Sequence, residues 1–145
     1  MTCKRKFQKS TLYAYTQASQ NIGVNAPINF NSKQKTGCSV ELEGTSTVEI
    51  ENPGLYLVEF NAVGSTQGTA GDITVQLQKN GVNVLGAIAS ESSSAATDIG
   101  NITFSTIIDV LPSCCSVDNS VNLSFVNTGV AATYTNVAIN VIKLA

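Results

Sequence analysis

The clearest structural signal in the sequence is residues 52–64, NPGLYLVEFNAVG. A Pro-Gly turn opens this stretch, and apolar side chains then recur at every second residue. Because successive side chains of a β-strand point to opposite faces, this period of two predicts a strand with one buried face. The residues predicted to face the core are Tyr56, Val58, Phe60 and Ala62.

The same alternation continues on both sides of this stretch, and no segment shows a helical period. Residues 72–78, DITVQLQ, repeat it, with the hydroxyl and amide side chains, Gln76 included, predicted to face outward. Asn80-Gly81 then predicts a tight hairpin, because both central residues of a type I′ turn have positive φ. The small-residue stretches 64–71 and 89–100 are predicted to be loops.

The composition also indicates β-structure. Of the 145 residues, 43% are hydrophobic and 12% are charged, and that charged fraction is about half the ~25% of an average soluble domain. Serine, threonine, asparagine and glutamine cover the surface instead, which is typical of strands rather than of solvated helices. We therefore predict one all-β domain, residues 10–145, of about eight to ten short antiparallel strands forming a β-sandwich, jelly roll or barrel.

Residues 1–9 differ from the rest and are predicted to form a separate arm. Four of the eight basic residues lie there: Lys4, Arg5, Lys6 and Lys9. One interpretation is a frayed, solvated terminus. The other, which we adopt, is an electrostatic anchor to an acidic surface of a partner protein.

Residue counts argue against several functions. The chain has no histidine, so no imidazole can act as general base, proton shuttle or metal ligand. Four carboxylates alternate along a predicted hairpin: Glu41, Glu43, Glu49 and Glu51. We interpret them as a solvated face that protects a strand edge rather than as a catalytic pair. The sequence therefore predicts no enzymatic activity and no cofactor.

Nucleic acids and membranes are also not expected as partners. The net charge is −2, and a mildly acidic protein with few charges lacks the basic surface that nucleic-acid binding needs. No run of residues approaches the ~20 apolar residues of a membrane-spanning helix.

The four cysteines leave three alternatives open: Cys3, Cys38, Cys114 and Cys115. A bond between the adjacent pair would be strained, but either of them could form a disulfide with Cys38, Cys3 or a neighbouring subunit. Three or four thiolates could hold a Zn²⁺ ion, although no C-x-x-C spacing supports this. Free thiols are the third alternative, since a chain assembled in the cytosol begins with reduced cysteines.

The last predicted strand is apolar on both faces. One face carries Val137, Ile139 and Val141, and the other carries Ala138, Ile142 and Leu144. Ile107 is likewise apolar on the side of its strand opposite the predicted core residues. Since a solvent-facing strand is normally polar at alternate residues, the second face is predicted to be covered. The cover is either a second subunit of a cyclic homo-oligomer or a local element that wraps the strand.

The order of these features resembles the tumour necrosis factor and complement globular-head superfamily, in particular its bacterial and phage members. The resemblance spans residues 10–145. It is carried by STLYAYTQ (10–17), residues 29–31, the G-x-Y-x-V-x-F pattern from Gly54 to Phe60, QLQKNG (76–81) and TNVAINVIKL (135–144).

The resemblance implies a ten-strand jelly roll that assembles as a homotrimer, and a binding, display or adhesion role. In this family the closing strand lies at the subunit contacts, and the terminal-strand tyrosines, Tyr134 included, lie near them. Interface packing is the preferred role for these tyrosines, and stacking on a glycan is the alternative. The predicted trimer interface is Tyr13, Tyr15, Ile107, Val137, Ile139 and Val141.

The chain departs from the collagen-linked members because a short basic arm stands where they have a Gly-x-y stalk. A short arm on a compact head resembles a phage virion component assembled in the host cytoplasm. The predicted role is a head decoration, head fibre or fibre tip docked on a capsid or tail protein. The alternative is an adhesion module on a phage tail, bacterial spore or cell surface, binding a receptor or glycan through residues 64–71 and 89–100.

Overall fold

The computed structural model describes residues 9–112 and 120–145, and within these ranges the secondary structure consists of β-strands joined by turns and loops. Every strand pairing is antiparallel. The strands are β1 (Thr11–Thr16), β2 (Gln20–Ile22), β3 (Ala26–Pro27), β4 (Ser32–Thr36), β5 (Val40–Glu43), β6 (Thr47–Ile50), β7 (Gly54–Thr66), β8 (Gly71–Lys79), β9 (Val82–Ser93), β10 (Gly100–Val110), β11 (Val121–Asn127) and β12 (Ala132–Lys143).

The strands form two sheets that pack face to face. The front sheet has the order β10-β7-β12-β1-β4, with β2 paired to β12. The back sheet has the order β5-β6-β11-β8-β9, with β3 paired to β11. The predicted all-β sandwich is therefore confirmed, with twelve described strands, several of them only two to four residues long. No helix able to span a membrane occurs among the described residues.

The core lies between the two sheets and is built from the inward residues of the alternating pattern. The four residues of β7 predicted to face the core are at most 2% exposed. Phe125 of β11 stacks on Phe60 with a centroid distance of 5.2 Å and meets Phe30 edge-on at 5.9 Å. This aromatic cluster joins the two sheets at the centre of the sandwich.

The loops are shorter than the sequence predicts. The hairpin at Asn80 (φ 52°) and Gly81 (φ 80°) is confirmed. However, β7 continues to Thr66 and β9 continues to Ser93, so the connections are only 67–70 and 94–99. Pairing with neighbouring strands holds these small residues in extended conformation, which overrides their weak strand propensity.

Both ends of the jelly roll lie at one end of the sandwich, which we call the base. The Lys143 amide donates to the Ser10 carbonyl at 2.9 Å, and the Leu144 amide donates to the Leu55 carbonyl at 2.7 Å. Gly54 (φ 149°) lies so close to the Ala145 carbonyl that a β-carbon there would collide with it. Loops 67–70 and 94–99 lie at the opposite end, which we call the top. Lys9, the first described residue, precedes Ser10 at the base.

Candidate functional site

The outer face of the front sheet, which points away from the core, is the candidate site. Strand register arranges its side chains in rows across β1, β12, β7 and β10. From top to base the rows are Tyr15–Ala138–Asn61–Thr103, Tyr13–Asn140–Glu59–Ser105 and Thr11–Ile142–Leu57–Ile107.

The base of this outer face is apolar and open to solvent. Ile107 is 57% exposed, Leu144 is 53% exposed and Leu55 is 39% exposed. Leu57 and Ile142 are half-buried between them. Single exposed apolar residues are ordinary, but a contiguous group of five is typical of surfaces used for interactions between proteins.

The middle of the outer face carries the two exposed tyrosines beside an open depression. The Tyr13 and Tyr15 rings are stacked with centroids 5.1 Å apart. Tyr13, Glu59, Asn61, Ala138 and Asn140 line the depression. The structure therefore brings Tyr13, Tyr15 and Ile107 of the predicted interface onto one face.

The other three predicted interface residues lie elsewhere, and the prediction is corrected. Val137, Ile139 and Val141 are at most 1% exposed, because they point between the sheets into the core. The alternate residues of β12, including Ala138 and Ile142, form the outer face instead. Alternation identified both sets, but it could not say which set faces the second sheet.

Tyr134 is also corrected, because it is buried rather than exposed. A register shift between Thr135 and Ala138, with Asn136 at φ 53°, allows both Tyr134 and Val137 to face the core. The Tyr134 hydroxyl donates to the Asn127 side-chain oxygen at 2.8 Å. Burial raises the pKa of the Tyr134 phenol well above its ordinary value of 10.0. This ring therefore reaches neither a glycan nor a partner subunit.

A second apolar surface, which was not predicted from the sequence, lies along the edge strand β9. We call it the edge ridge and define it by Val82 (69% exposed), Leu85 (93%) and Ile88 (47%). Gln76 of the neighbouring β8 was predicted to face solvent, but it is only 7% exposed and lies under this ridge. The signal available in the sequence was NVLGAI (83–88), in which Gly86 interrupts the alternation.

The charged edge formed by β4 and β5 is tied internally. Lys33 donates to one Glu41 carboxylate oxygen at 2.8 Å, and Lys35 donates to the other. These hydrogen bonds lower the pKa of Glu41. Glu41 therefore faces outward as predicted, but it is ion-paired rather than freely solvated. Glu43 and Glu51 are exposed, as the sequence predicts.

The remaining predicted site residues fall mostly outside the described ranges. Cys38 is disulfide-bonded, so its sulfur offers no thiolate to a metal or an electrophile. Lys9 is exposed at the base. Within the described ranges, no group of three metal-ligating side chains occurs. The residues that lie outside these ranges are Cys3, Lys4, Arg5, Lys6, Cys114 and Cys115.

Comparisons with known proteins identify similar folds. No protein-family model matches the sequence, and the search of curated proteins found no match. The globular domain of zebrafish complement 1qA is similar, with 10% identity and a TM-score of 0.65, over 93% of this chain and 97% of that one. The tumour necrosis factor Eiger of S. frugiperda is 16% identical, with a TM-score of 0.66, over 97% and 94%.

A third similar structure is PRD1 vertex protein P5. It is 17% identical to this chain, with a TM-score of 0.57, and the match covers 94% of this chain and 97% of that one. All three matches span nearly the whole of both chains at low identity. The chain therefore has the jelly-roll sandwich fold that a tumour necrosis factor and a complement 1q globular domain share.

Proposed function

We propose that the protein is a structural component of a phage virion, in which three copies of the jelly roll form a head decoration, head fibre or fibre tip. The observation that carries this proposal is the apolar base of the outer face, where Leu55, Ile107 and Leu144 are each more than a third exposed. A surface of this kind in a single subunit is explained when neighbouring subunits cover it.

The position of the chain ends supports docking through the arm. Lys9 lies at the base, next to Ser10, whose carbonyl accepts a hydrogen bond from the Lys143 amide, whereas the loops at 67–70 and 94–99 lie at the top. An arm that leaves from the base and binds a particle holds the top outward. Several kinds of surface could carry such a head. The similarity to PRD1 vertex protein P5 supports a virion as that surface.

The trimer is tested by measuring the solution mass of the intact protein with light scattering. We expect three chains of 15.1 kDa, or about 45 kDa, both with and without reductant. Ile107→Asp places a charge in the apolar base and should give the monomer mass. Val24→Asp is the matched control, because Val24 is also 57% exposed but lies away from the outer face. A wild-type monomer at micromolar concentration would contradict the proposal.

The arm is tested by replacing Lys4, Arg5, Lys6 and Lys9 together with glutamine. This variant keeps Cys3, so charge is separated from any role of that thiol. We expect the head to remain folded and trimeric while its incorporation into particles falls, because docking is electrostatic. If incorporation into particles is undiminished at physiological salt, the basic residues of the arm are not the anchor.

A second candidate function is binding of a receptor or glycan, and the outward position of the top loops favours it. Replacing residues 67–70 and 94–99 with short turns from unrelated hairpins should then abolish adsorption to the target cell. Incorporation into particles should survive, because the base is unchanged. Normal adsorption by the double-loop variant would leave decoration alone as the role.

A further inference from the structure

Two depressions meet at Tyr15, near the top of the front sheet, and together we call them the Tyr15 cleft. Tyr15 and Gln17 line both of them. One depression continues to Asn136 and Ala138 on β12, and the other continues to Asn31 beside β4. Their volumes of about 290 and 460 Å³ are close to the roughly 300–1,000 Å³ of small-molecule sites. The cleft is therefore large enough for a small ligand in each half.

The lining of the Tyr15 cleft is aromatic and polar, and it carries no charge. It consists of the two stacked tyrosines, hydroxyl and amide side chains, and three aliphatic residues. Lys33 and Lys35 of the adjacent strand β4 lie on its other face and bind Glu41. An ionic ligand would therefore find no counter-charge in the lining, whereas a neutral ligand with hydroxyl groups would find both donors and acceptors.

Hydrogen bonds fix the backbone on both sides of the cleft. The Thr16 hydroxyl accepts from the Asn31 amide at 2.9 Å and donates to the Asn29 carbonyl at 2.9 Å. Across the cleft, the Asn136 amide donates to the Gln17 carbonyl at 3.3 Å, at the bulge where Asn136 has φ 53°. The segments that carry the polar side chains are therefore held in place before a ligand arrives, which lowers the entropy cost of binding.

The side chains at the rim of the cleft are available for binding. Those of Gln17 and Asn136 make no hydrogen bond to the described part of the chain. Ala138 lies directly opposite Tyr15 in the β1–β12 register, so its small side chain leaves space beside the ring. The ring itself is half-buried and is supported by its stacking on Tyr13. The cleft thus combines a supported aromatic surface with amides that can both donate and accept.

We propose that the Tyr15 cleft binds a neutral oligosaccharide, with the Tyr15 ring as the stacking surface and Gln17, Asn31 and Asn136 as partners of the hydroxyl groups. A pyranose ring carries C–H groups on its faces and hydroxyl groups around its edge, which matches this arrangement. Tyr15 accordingly takes the glycan-stacking role rather than interface packing. All lining residues belong to one chain, so the site rests neither on the trimer nor on the loops at the top.

The first test uses maltotriose, cellotriose and tri-N-acetylchitotriose as neutral probes and sialyllactose as the charged comparison. Saturation-transfer-difference nuclear magnetic resonance with the intact protein measures binding of each probe. We expect saturable binding of at least one neutral trisaccharide, with the strongest transfer to the C–H protons of one ring. Sialyllactose should bind at least about tenfold more weakly. Failure of all three neutral probes to bind, or tighter binding of sialyllactose, would overturn the proposal.

Substitutions then locate the binding site. Tyr15→Ala removes the stacking surface and should weaken binding at least about tenfold, whereas Tyr15→Phe keeps the ring and should retain most of the affinity. Gln17→Ala should weaken binding about threefold or more, through the loss of a hydrogen bond. Gln34→Ala is its matched control, because Gln34 is an exposed glutamine opposite Tyr13 on β4, outside the cleft. Equal binding by the two glutamine variants, or equal losses in the two Tyr15 variants, would contradict this site.

The Ile107→Asp variant separates this inference from the proposed function. Ile107 lies at the base of the outer face and does not line the cleft. A monomeric wild-type protein that binds the sugar would overturn only the trimer, and a trimeric one that binds no sugar would overturn only the cleft. If the sugar binds Ile107→Asp but not the assembled wild type, a neighbouring subunit covers the cleft and the inference fails.

Discussion

A buried asparagine connects three elements at the top of the sandwich, and its removal gives the sharpest test of the packing described above. Asn127 of β11 has no exposed surface. The two N–H groups of its side-chain amide are shared among the carbonyls of Ile22 at 3.2 Å, Gly23 at 3.1 Å and Val130 at 2.9 Å. Its oxygen accepts the Tyr134 hydroxyl hydrogen bond. Asn127→Ala removes all four interactions.

The magnitude follows from what is left without a partner. The Gly23 carbonyl keeps its hydrogen bond from the Ala26 amide at 3.2 Å, so it is not counted. The buried Tyr134 hydroxyl loses its partner, which costs about 1–3 kcal/mol, and each further lost bond costs about 1 kcal/mol. We therefore expect Asn127→Ala to lower the free energy of unfolding by about 3–5 kcal/mol.

A second substitution, Tyr134→Phe, should change the free energy of unfolding in opposite directions in the wild-type protein and in the Asn127→Ala variant. Tyr134→Phe alone should cost about 1–2 kcal/mol, because it leaves the Asn127 oxygen without a donor. In the Asn127→Ala background, the same change removes a hydroxyl that already has no partner. The double variant should therefore be more stable than Asn127→Ala alone.

The assay is equilibrium unfolding in guanidinium chloride at one fixed protein concentration, because subunit association adds to the measured stability. Thr133→Ala is the control. Its hydroxyl donates to the Asn21 side chain at 2.7 Å on the exposed side of the same region, so its loss should stay within about 0.5 kcal/mol. The reasoning is refuted if Asn127→Ala is no more destabilising than this control, or if Tyr134→Phe destabilises it further.

Three further predictions concern the core and the titrating groups. Phe125→Ala should destabilise the protein by about 3–5 kcal/mol in the same unfolding assay, because it empties the centre of the aromatic cluster; a cost below 1 kcal/mol would contradict that packing. Because burial raises the pKa of Tyr134, stability should be fully present below pH 10.0, the ordinary pKa of the phenol, and should fall as the pH rises further, since the unfolded chain then loses the proton first. Tyr134→Phe should reduce this alkaline loss, measured as the change in unfolding midpoint between pH 9 and pH 11, and an unchanged slope would exclude Tyr134 as its source. Hydrogen bonds from Lys33 and Lys35 lower the pKa of Glu41, so its contribution is present above the ordinary pKa of 4.5 and is lost as the pH falls below it. Glu41→Gln should cost at most about 1 kcal/mol at pH 7, because the ion pairs are partly exposed, and the difference from wild type should shrink in 1 M salt.

Local patterning predicted the strands well because the period of two is a property of the chain itself. The inward face of β7 and the hairpin at Asn80-Gly81 needed no tertiary information. The first follows from alternating side-chain direction, and the second from the positive φ of both turn residues. The loops were overestimated because strand pairing can hold residues of weak propensity, such as those at 64–66 and 89–93, in extended conformation.

The candidate site was only half predictable. The sequence showed that β12 is apolar on both faces, and it predicted a cover for the second face. It also singled out Tyr13, Tyr15 and Ile107, which do lie on that face. The edge ridge could not be predicted from the sequence. Gln76 is buried and closes a bulge, but in the sequence it has the spacing of an ordinary outward-facing polar residue.

The sequence by itself therefore determined the fold class, the strands and which residues share a face, since these depend on neighbours along the chain. The tertiary structure decided which face of each strand meets the other sheet. It placed Val137, Ile139 and Val141 in the core and Ala138 and Ile142 outside, because β12 lies between β1 and β7 with its bulge at Asn136. It also decided that Leu85 stands in solvent, because carbonyls on either side of it are held by an amide from another strand. Contacts between residues distant in sequence set both outcomes, and no local period encodes them.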